Sequence, residues 1–259
     1  VKSSLLRRVR RNSVKLYILN KNGKRRRKMT IDYAALMAFG ASEKLVSLVE
    51  KSNIFYWDWE LSLLKWFYDI HNSFLDVFMP LVTKLGDAGI FWIILTVVLL
   101  IIPKTRHIGL ASFIALLLDI ILCNGIIKPI FIRCRPGWLM FFEGGPDWIR
   151  NMKMLVSFPN DFSFPSGHTA ASFASAVAVF ATLKGKYKWW GVGALVLATI
   201  IGISRLYVCV HWPTDVIAGL VVGVICGVAG WAIAKPLWKF IDKKITEFKE
   251  KKAAKNTQE

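Results

Sequence analysis

The pooling of apolar residues into a few long runs constrains this chain most. Five stretches, roughly 87–102, 108–127, 168–183, 189–206 and 213–234, are nearly free of charge. They approach or reach the length that crosses a bilayer, about 17–25 mostly apolar residues per helix. A soluble domain of this size would distribute its apolar residues periodically along each element instead. The pattern predicts an all-α, polytopic membrane helix bundle, and 54% hydrophobic residues over 259 positions agree with it.

Charge orients the bundle. Lys plus Arg outnumber Asp plus Glu by 35 to 17, a net +18. In a soluble protein this excess would raise nucleic-acid binding. Here the basic residues are spread over several connectors with no recognition motif, so no nucleic-acid partner is expected. Lys104, Arg106 and His107 follow the first run, Lys184, Lys186 and Lys188 the third, and Lys235, Lys239, Lys243 and Lys244 the last. The positive-inside rule makes these segments cytoplasmic. The opposite connectors, 128–167 and about 204–212, then face the outside of a cell membrane.

Residues 1–28 are densely basic and carry no acidic side chain, the pattern of a solvated tail held near anionic headgroups. Three regions are expected: a basic cytoplasmic or juxtamembrane extension over 1–56, a membrane-embedded domain over 57–240, and a basic cytoplasmic tail over 241–259. Five spans alone would leave the start of the chain outside, so a cytoplasmic extension needs a sixth crossing hidden between 31 and 85. Residues 31–50 read as an interfacial helix, too charged to span. The aromatic-rich stretch 54–85 is interrupted by Asp58, Glu60, Lys65, Asp69 and Asp76, and Asn72-Ser73 would cap a short helix within it. No cleavable leader is expected, because the first apolar run of any length lies far from the start.

Cys123, Cys134, Cys209 and Cys226 sit singly in or beside apolar segments, without metal-ligand spacing. They read as small packing residues, with neither disulfide nor zinc site expected. Ala170, Ala174 and Ala178, and likewise Gly219, Gly223 and Gly227, recur every fourth residue. Such stripes let helix backbones approach closely in lipid.

The chemistry collects on the outward connectors. Lys128 follows the 108–127 run, with Arg135-Pro136 beyond it. Pro165-Ser166-Gly167-His168 opens the next run, and Ser204-Arg205 closes the one after, followed by His211 and Asp215. Cations at membrane helix ends are costly and mark sites. Lys128, Arg135 and Arg205 suit the nonbridging oxygens of a phosphate, arginine through a planar two-pronged donor set. Ser166 and Gly167 at a helix start would direct backbone N–H groups at the same anion. His211 and Asp215 are one helical turn apart, so the carboxylate can hold the imidazole tautomer while the other nitrogen attacks phosphorus. His168 is then left as the general acid for the departing oxygen. Any one histidine here would more often be structural; three motifs in order on one face have no such bland reading.

Those three motifs, KxxxxxxRP from Lys128, PSGH from Pro165 and SRxxxxxHxxxD from Ser204, resemble the type 2 phosphatidic acid phosphatase family. The resemblance covers roughly 57–235 and implies the same roles, with no metal ion and no cofactor. Within it, LKWFYDIHNSFLDVFMPLVTKLGDAG is similar to the entry helices of small bacterial members acting on undecaprenyl pyrophosphate. The expected activity is hydrolysis of a lipid phosphate or pyrophosphate at the bilayer. Alternatives are a phosphatase for phosphatidylglycerophosphate, phosphatidic acid or lipid A, a lipid phosphotransferase, and a non-catalytic membrane scaffold. The 137–163 loop reads equally as a lid over the site or as an interfacial loop. Oligomeric state has no signature in the pattern.

Overall fold

The computed structural model describes residues 16–19 and 25–256; residues 1–15 and 20–24 of the basic segment lie outside the described residues. The chain divides into two compact units. One takes the described residues up to Lys84, Asn124–Ser166 and Gly202–Gly219, and the other takes Leu85–Cys123, Gly167–Ile201 and the residues from Leu220 onward.

The first unit begins with β1 (Leu16–Leu19) antiparallel to β2 (Arg25–Ile31). The short β3 (Phe142–Glu143) extends this sheet, with Thr30 opposite Glu143 and Ile31 opposite Phe142. Two amphipathic helices follow, α1 (Tyr33–Ala38) and α2 (Glu43–Lys51). Asp32 caps α1 by accepting from the Ala35 N–H at 2.9 Å, and Ser42 caps α2 from Leu45 at 3.2 Å. These are residues whose short polar side chains satisfy otherwise orphaned helix donors. Next come α3 (Asp58–Asp69) and α4 (Leu75–Leu85), where Asn72 accepts from the N–H groups of Phe74 and Leu75, the cap expected there. A 3-10 turn at Pro136–Phe141 and a short helix α7 (Asp147–Arg150) complete the connector. Leu36, Val49, Leu64, Trp138, Phe142 and Trp212 close one aromatic-rich core beneath all of these.

That core corrects the expected topology. Asp32 N–H donates to the Phe141 carbonyl at 2.7 Å, Asn53 N–H to Ile132 at 2.7 Å, and Cys134 N–H to Asn53 at 2.8 Å. A hydrocarbon layer is about 30 Å thick. Residues 25–56 and the 128–167 connector therefore lie on the same side of any membrane, and a cytoplasmic 25–56 cannot accompany an outward-facing connector. The sixth crossing was required only to separate them. The sheet is also a departure from an all-α chain, small within a mostly helical molecule. A run as basic as RRRKMTI reads as a solvated tail until its pairing partners are known.

In the second unit α5 (Ile90–Ile101) and α6 (Arg106–Asp119) form a helical hairpin against α8 (Gly167–Thr182). Helix α6 runs on as a π-helical stretch, Ile120–Ile127, to a last turn at Lys128–Ile130. Helices α9 (Lys188–Tyr207) and α10 (Pro213–Asn256) follow. All five apolar runs are helical. By length and composition, Arg106–Ile130, Gly185–Tyr207 and Pro213–Lys251 can cross a membrane, and Leu75–Leu85 with Asp87–Ile101 makes a fourth if the pair is one broken span. Helix α8 has only 16 residues. Ile94, Ile101, Ile121, Ile225 and Val228 remain exposed along these helices, as a lipid-facing surface requires.

The small-residue stripes do the packing expected of them. A Cβ on Gly223 would fall 2.5 Å from the Ala170 carbonyl, and one on Gly227 2.6 Å from Val177. A ladder of buried hydroxyls links the helices. Trp92 donates to Ser172 at 2.8 Å, Thr96 pairs with Ser112 at 2.6 Å, and Ser112 pairs with Ser175 at 2.7 Å.

Candidate active site

Within the first unit, the cations named by the motifs converge on a buried histidine. His211 is 1% exposed, and Arg135 and Arg205 are 2% and 3% exposed. Arg135 stands at the N-terminal edge of the 3-10 turn. It donates to the Val210 carbonyl at 2.7 Å and the Asp161 carbonyl at 2.9 Å, and its terminal nitrogen lies 3.1 Å from His211 Nε2. A guanidinium can only donate, so Nε2 is the acceptor and the imidazole proton sits on Nδ1. Arg205, at the end of α9, is held by Thr83 at 2.5 Å. Burial, then Arg135, Arg205 and Lys128, push the His211 pKa well below its ordinary value, with Asp161 opposing. The imidazole is therefore neutral near pH 7, the form that can act as a nucleophile.

Asp161 fills the space among the cations. One carboxylate oxygen is 2.5 Å from Lys128 Nζ and the other 2.5 Å from Arg135. Burial alone would raise its pKa, but Arg135 and Lys128 outweigh it and hold the group well below the usual carboxylate range. Asp161 is thus held as an anion that occupies both Lys128 and Arg135.

Asp215 is engaged more heavily than its spacing suggested. Its Oδ2 lies 3.5 Å from His211 Nδ1, an ion-pair separation longer than a good hydrogen bond. Nδ1 has no hydrogen-bond partner among the described residues. The same Oδ2 accepts from the Trp212 N–H at 2.8 Å and from the Ser163 hydroxyl, and Oδ1 accepts from Arg133 at 2.6 Å. Pro213 opens α10, so the Trp212 contact is half of a capping box that fixes Asp215 in the first turn. Arg133 reaches Glu60 at 2.9 Å as well, and Glu60 accepts from the Thr214 hydroxyl at 2.6 Å. Arg133, Glu60 and Asp215 have no exposed side-chain surface.

One expectation is corrected here. The Ser166 N–H does not point at an open anion site, because it donates to the Asp215 carbonyl at 3.0 Å. That bond ties the PSGH segment to the start of α10.

Gly167 and His168 open α8 in the second unit. His168 Nε2 lies 2.8 Å from Asp87 Oδ1, with the imidazole partly exposed. Gly86 leaves room for the ring: a Cβ there would fall 2.7 Å from His168 Cδ2.

Sequence reasoning missed Arg133, Glu60, Asp161, Ser163 and Asp87. Two of them had a readable signal. Arg133 and Glu60 are opposite charges set among apolar or aromatic residues, which calls for a buried partner. Asp161 and Ser163 lie in a loop whose composition fits several roles, and Asp87 meets His168 only through the packing of α8.

A family model described as the PAP2 superfamily matches residues 108–239. The undecaprenyl-diphosphatase of Sulfolobus acidocaldarius is 34% identical over 149 residues, 58% of this chain and 66% of that protein, just under two thirds of its length. A lipid A 4'-phosphatase of Bacteroides thetaiotaomicron is 29% identical over 198 residues, 73% of this chain and 79% of its own. The crystal structure of Aquifex aeolicus LpxE superposes with a TM-score of 0.53 at 26% identity, covering 66% of this chain and 93% of that one.

Proposed function

The chain belongs to the PAP2 superfamily, and from that premise we propose that it is an integral membrane phosphatase that releases phosphate from undecaprenyl pyrophosphate through a phosphohistidine on His211. The observation that carries this reading is a neutral, buried imidazole among Lys128, Arg135 and Arg205. Incoming phosphate displaces the Asp161 carboxylate from Lys128 and Arg135, which also frees Nε2 of His211. Nε2 attacks phosphorus, a P–N bond forms, and the P–O bond to the leaving lipid phosphate breaks. His168 protonates that leaving oxygen and Gly167 supports the phosphate, while the Ser166 N–H holds the segment to the start of α10. Water, deprotonated by His168, then splits the P–N bond and inorganic phosphate departs. Asp215 keeps the Nδ1 proton oriented and stabilises the charge on the ring as it forms. No metal is needed, since the three cations supply the charge.

The positively charged connectors support a site facing the extracytoplasmic side of the cell membrane, with residues 25–56 on that side too. The Sulfolobus relative favours undecaprenyl pyrophosphate as substrate. The longer match to the Bacteroides protein favours a lipid A phosphate as the second reading.

A phosphate-release panel on purified protein tests this directly. It compares undecaprenyl pyrophosphate, phosphatidylglycerophosphate, phosphatidic acid and a lipid A phosphate. The first should turn over fastest, and preference for any other would overturn the substrate assignment. Vanadate should inhibit and chelators should not, while label passing from donor to a lipid acceptor instead of water would make the enzyme a phosphotransferase.

A further inference from the structure

A cavity of about 800 Å³ in the second unit lies at the opposite end of α8 from His168. Fourteen residues separate His168 from Thr182 at the cavity wall. At the helical rise of 1.5 Å per residue this is roughly 21 Å. Its walls are largely apolar, with Trp231 and Trp238 on α10 and Ile108 on α6. Lys104, Lys184, Lys235 and Lys239 rim it, and no acidic side chain lines it. None of the four pairs with a carboxylate among the described residues. Lys235 instead lies 5.6 Å from the Trp231 ring centroid, and the ring of His107 is 6.1 Å from that of Trp238.

An apolar recess between helices, ringed by unneutralised ammonium groups and aromatic rings, has the amphiphilic profile of a membrane lipid with an anionic head. Juxtamembrane lysines gain about 1 kcal/mol each from anionic lipid, and tryptophan favours the headgroup level. The lysines belong to the connectors that the charge rule makes cytoplasmic. We propose that this cavity is a binding site for an anionic phospholipid of the cytoplasmic leaflet. Its phosphate sits among Lys104, Lys184, Lys235 and Lys239, and its upper acyl chain lies against Trp231 and Trp238. The site uses none of the groups assigned to phosphoryl transfer, so it stands or falls separately from that function.

The test is native mass spectrometry of the full chain in detergent, titrated with phosphatidylglycerol or with phosphatidylcholine of the same acyl chains. Phosphatidylglycerol should be retained in preference to phosphatidylcholine. Each lysine accounts for about a fivefold affinity difference, so Lys184→Gln/Lys235→Gln/Lys239→Gln should weaken retention on the order of a hundredfold. Lys249→Gln/Lys251→Gln, farther along α10, should leave it unchanged. Equal retention of the two lipids, wild-type retention by the triple variant, or an equal loss in the tail variant would overturn the proposal. If the triple variant is not monodisperse, Lys239→Gln alone carries the test, with a loss of about fivefold expected and no loss overturning it.

Discussion

The two units are held together by opposite means. The first buries charge: Arg133 is sandwiched between Glu60 and Asp215, with its guanidinium 4.4 Å from the Phe55 ring centroid. The second buries almost none and relies on glycine-to-backbone contacts and a ladder of hydroxyls. Lipid provides no hydrophobic drive between helices, so a unit of apolar helices must gain its stability from close approach and interhelical hydrogen bonds. The first unit, built from connectors and helix ends, can meet the cost of burying ions with an aromatic core and full pairing. Paired buried charge fixes geometry, and the fixed geometry here belongs to Asp215 and His211.

The contrast breaks most visibly at Arg133. Arg133→Met should destabilise the protein by about 3–5 kcal/mol, because two carboxylates would remain buried without their cation. A thermal melt in detergent reads this, and a wild-type melting temperature would mean that the network carries no stability. In the second unit the equivalent stress is steric. Gly223→Val, aimed at the Ala170 carbonyl, should cost about 1–3 kcal/mol in the same assay. If Gly223→Val is silent, α8 and α10 do not approach as closely as described.

Smaller effects sharpen the comparison through activity. Gly86→Ala should displace His168 from Asp87 and lower kcat on the order of tenfold, with KM and stability little changed. An unchanged kcat would separate His168 placement from turnover. The pH profile is subtler still. Burial and three cations disfavour the imidazolium of His211, so its neutral form persists as pH falls below 6.5. The acidic limb of kcat/KM should therefore lie below 6.5, and Lys128→Gln should move it upward. A wild-type limb above 6.5 would contradict the assigned environment.

Much of this was legible in the sequence because it is local or periodic. Apolar runs specify helices, the alanine and glycine stripes specify where α8 and α10 touch, and Asn72 specifies a cap. Lys128, Arg135, Arg205 and His211 were readable as a constellation because each falls at a helix end or in a short connector on one predicted face. What stayed hidden depends on pairings distant along the chain. Thr30 meets Glu143 and Asn53 meets Arg133 across more than a hundred and about eighty residues, and no spacing rule encodes either. The shared side of 25–56 and the 128–167 connector was missed for that reason. Charge alone set them on opposite sides, and backbone pairing puts them together. Asp161 was hidden for a different reason: its importance comes from two cations that approach it from other segments.

The central claim is that phosphate passes through His211. Rapid quench of purified protein with undecaprenyl pyrophosphate labelled in its terminal phosphate reads this directly. The account predicts an acid-labile, base-stable phosphoprotein whose label maps to His211 and is absent in His211→Asn. Full turnover by His211→Asn, or label on any other residue, would contradict it.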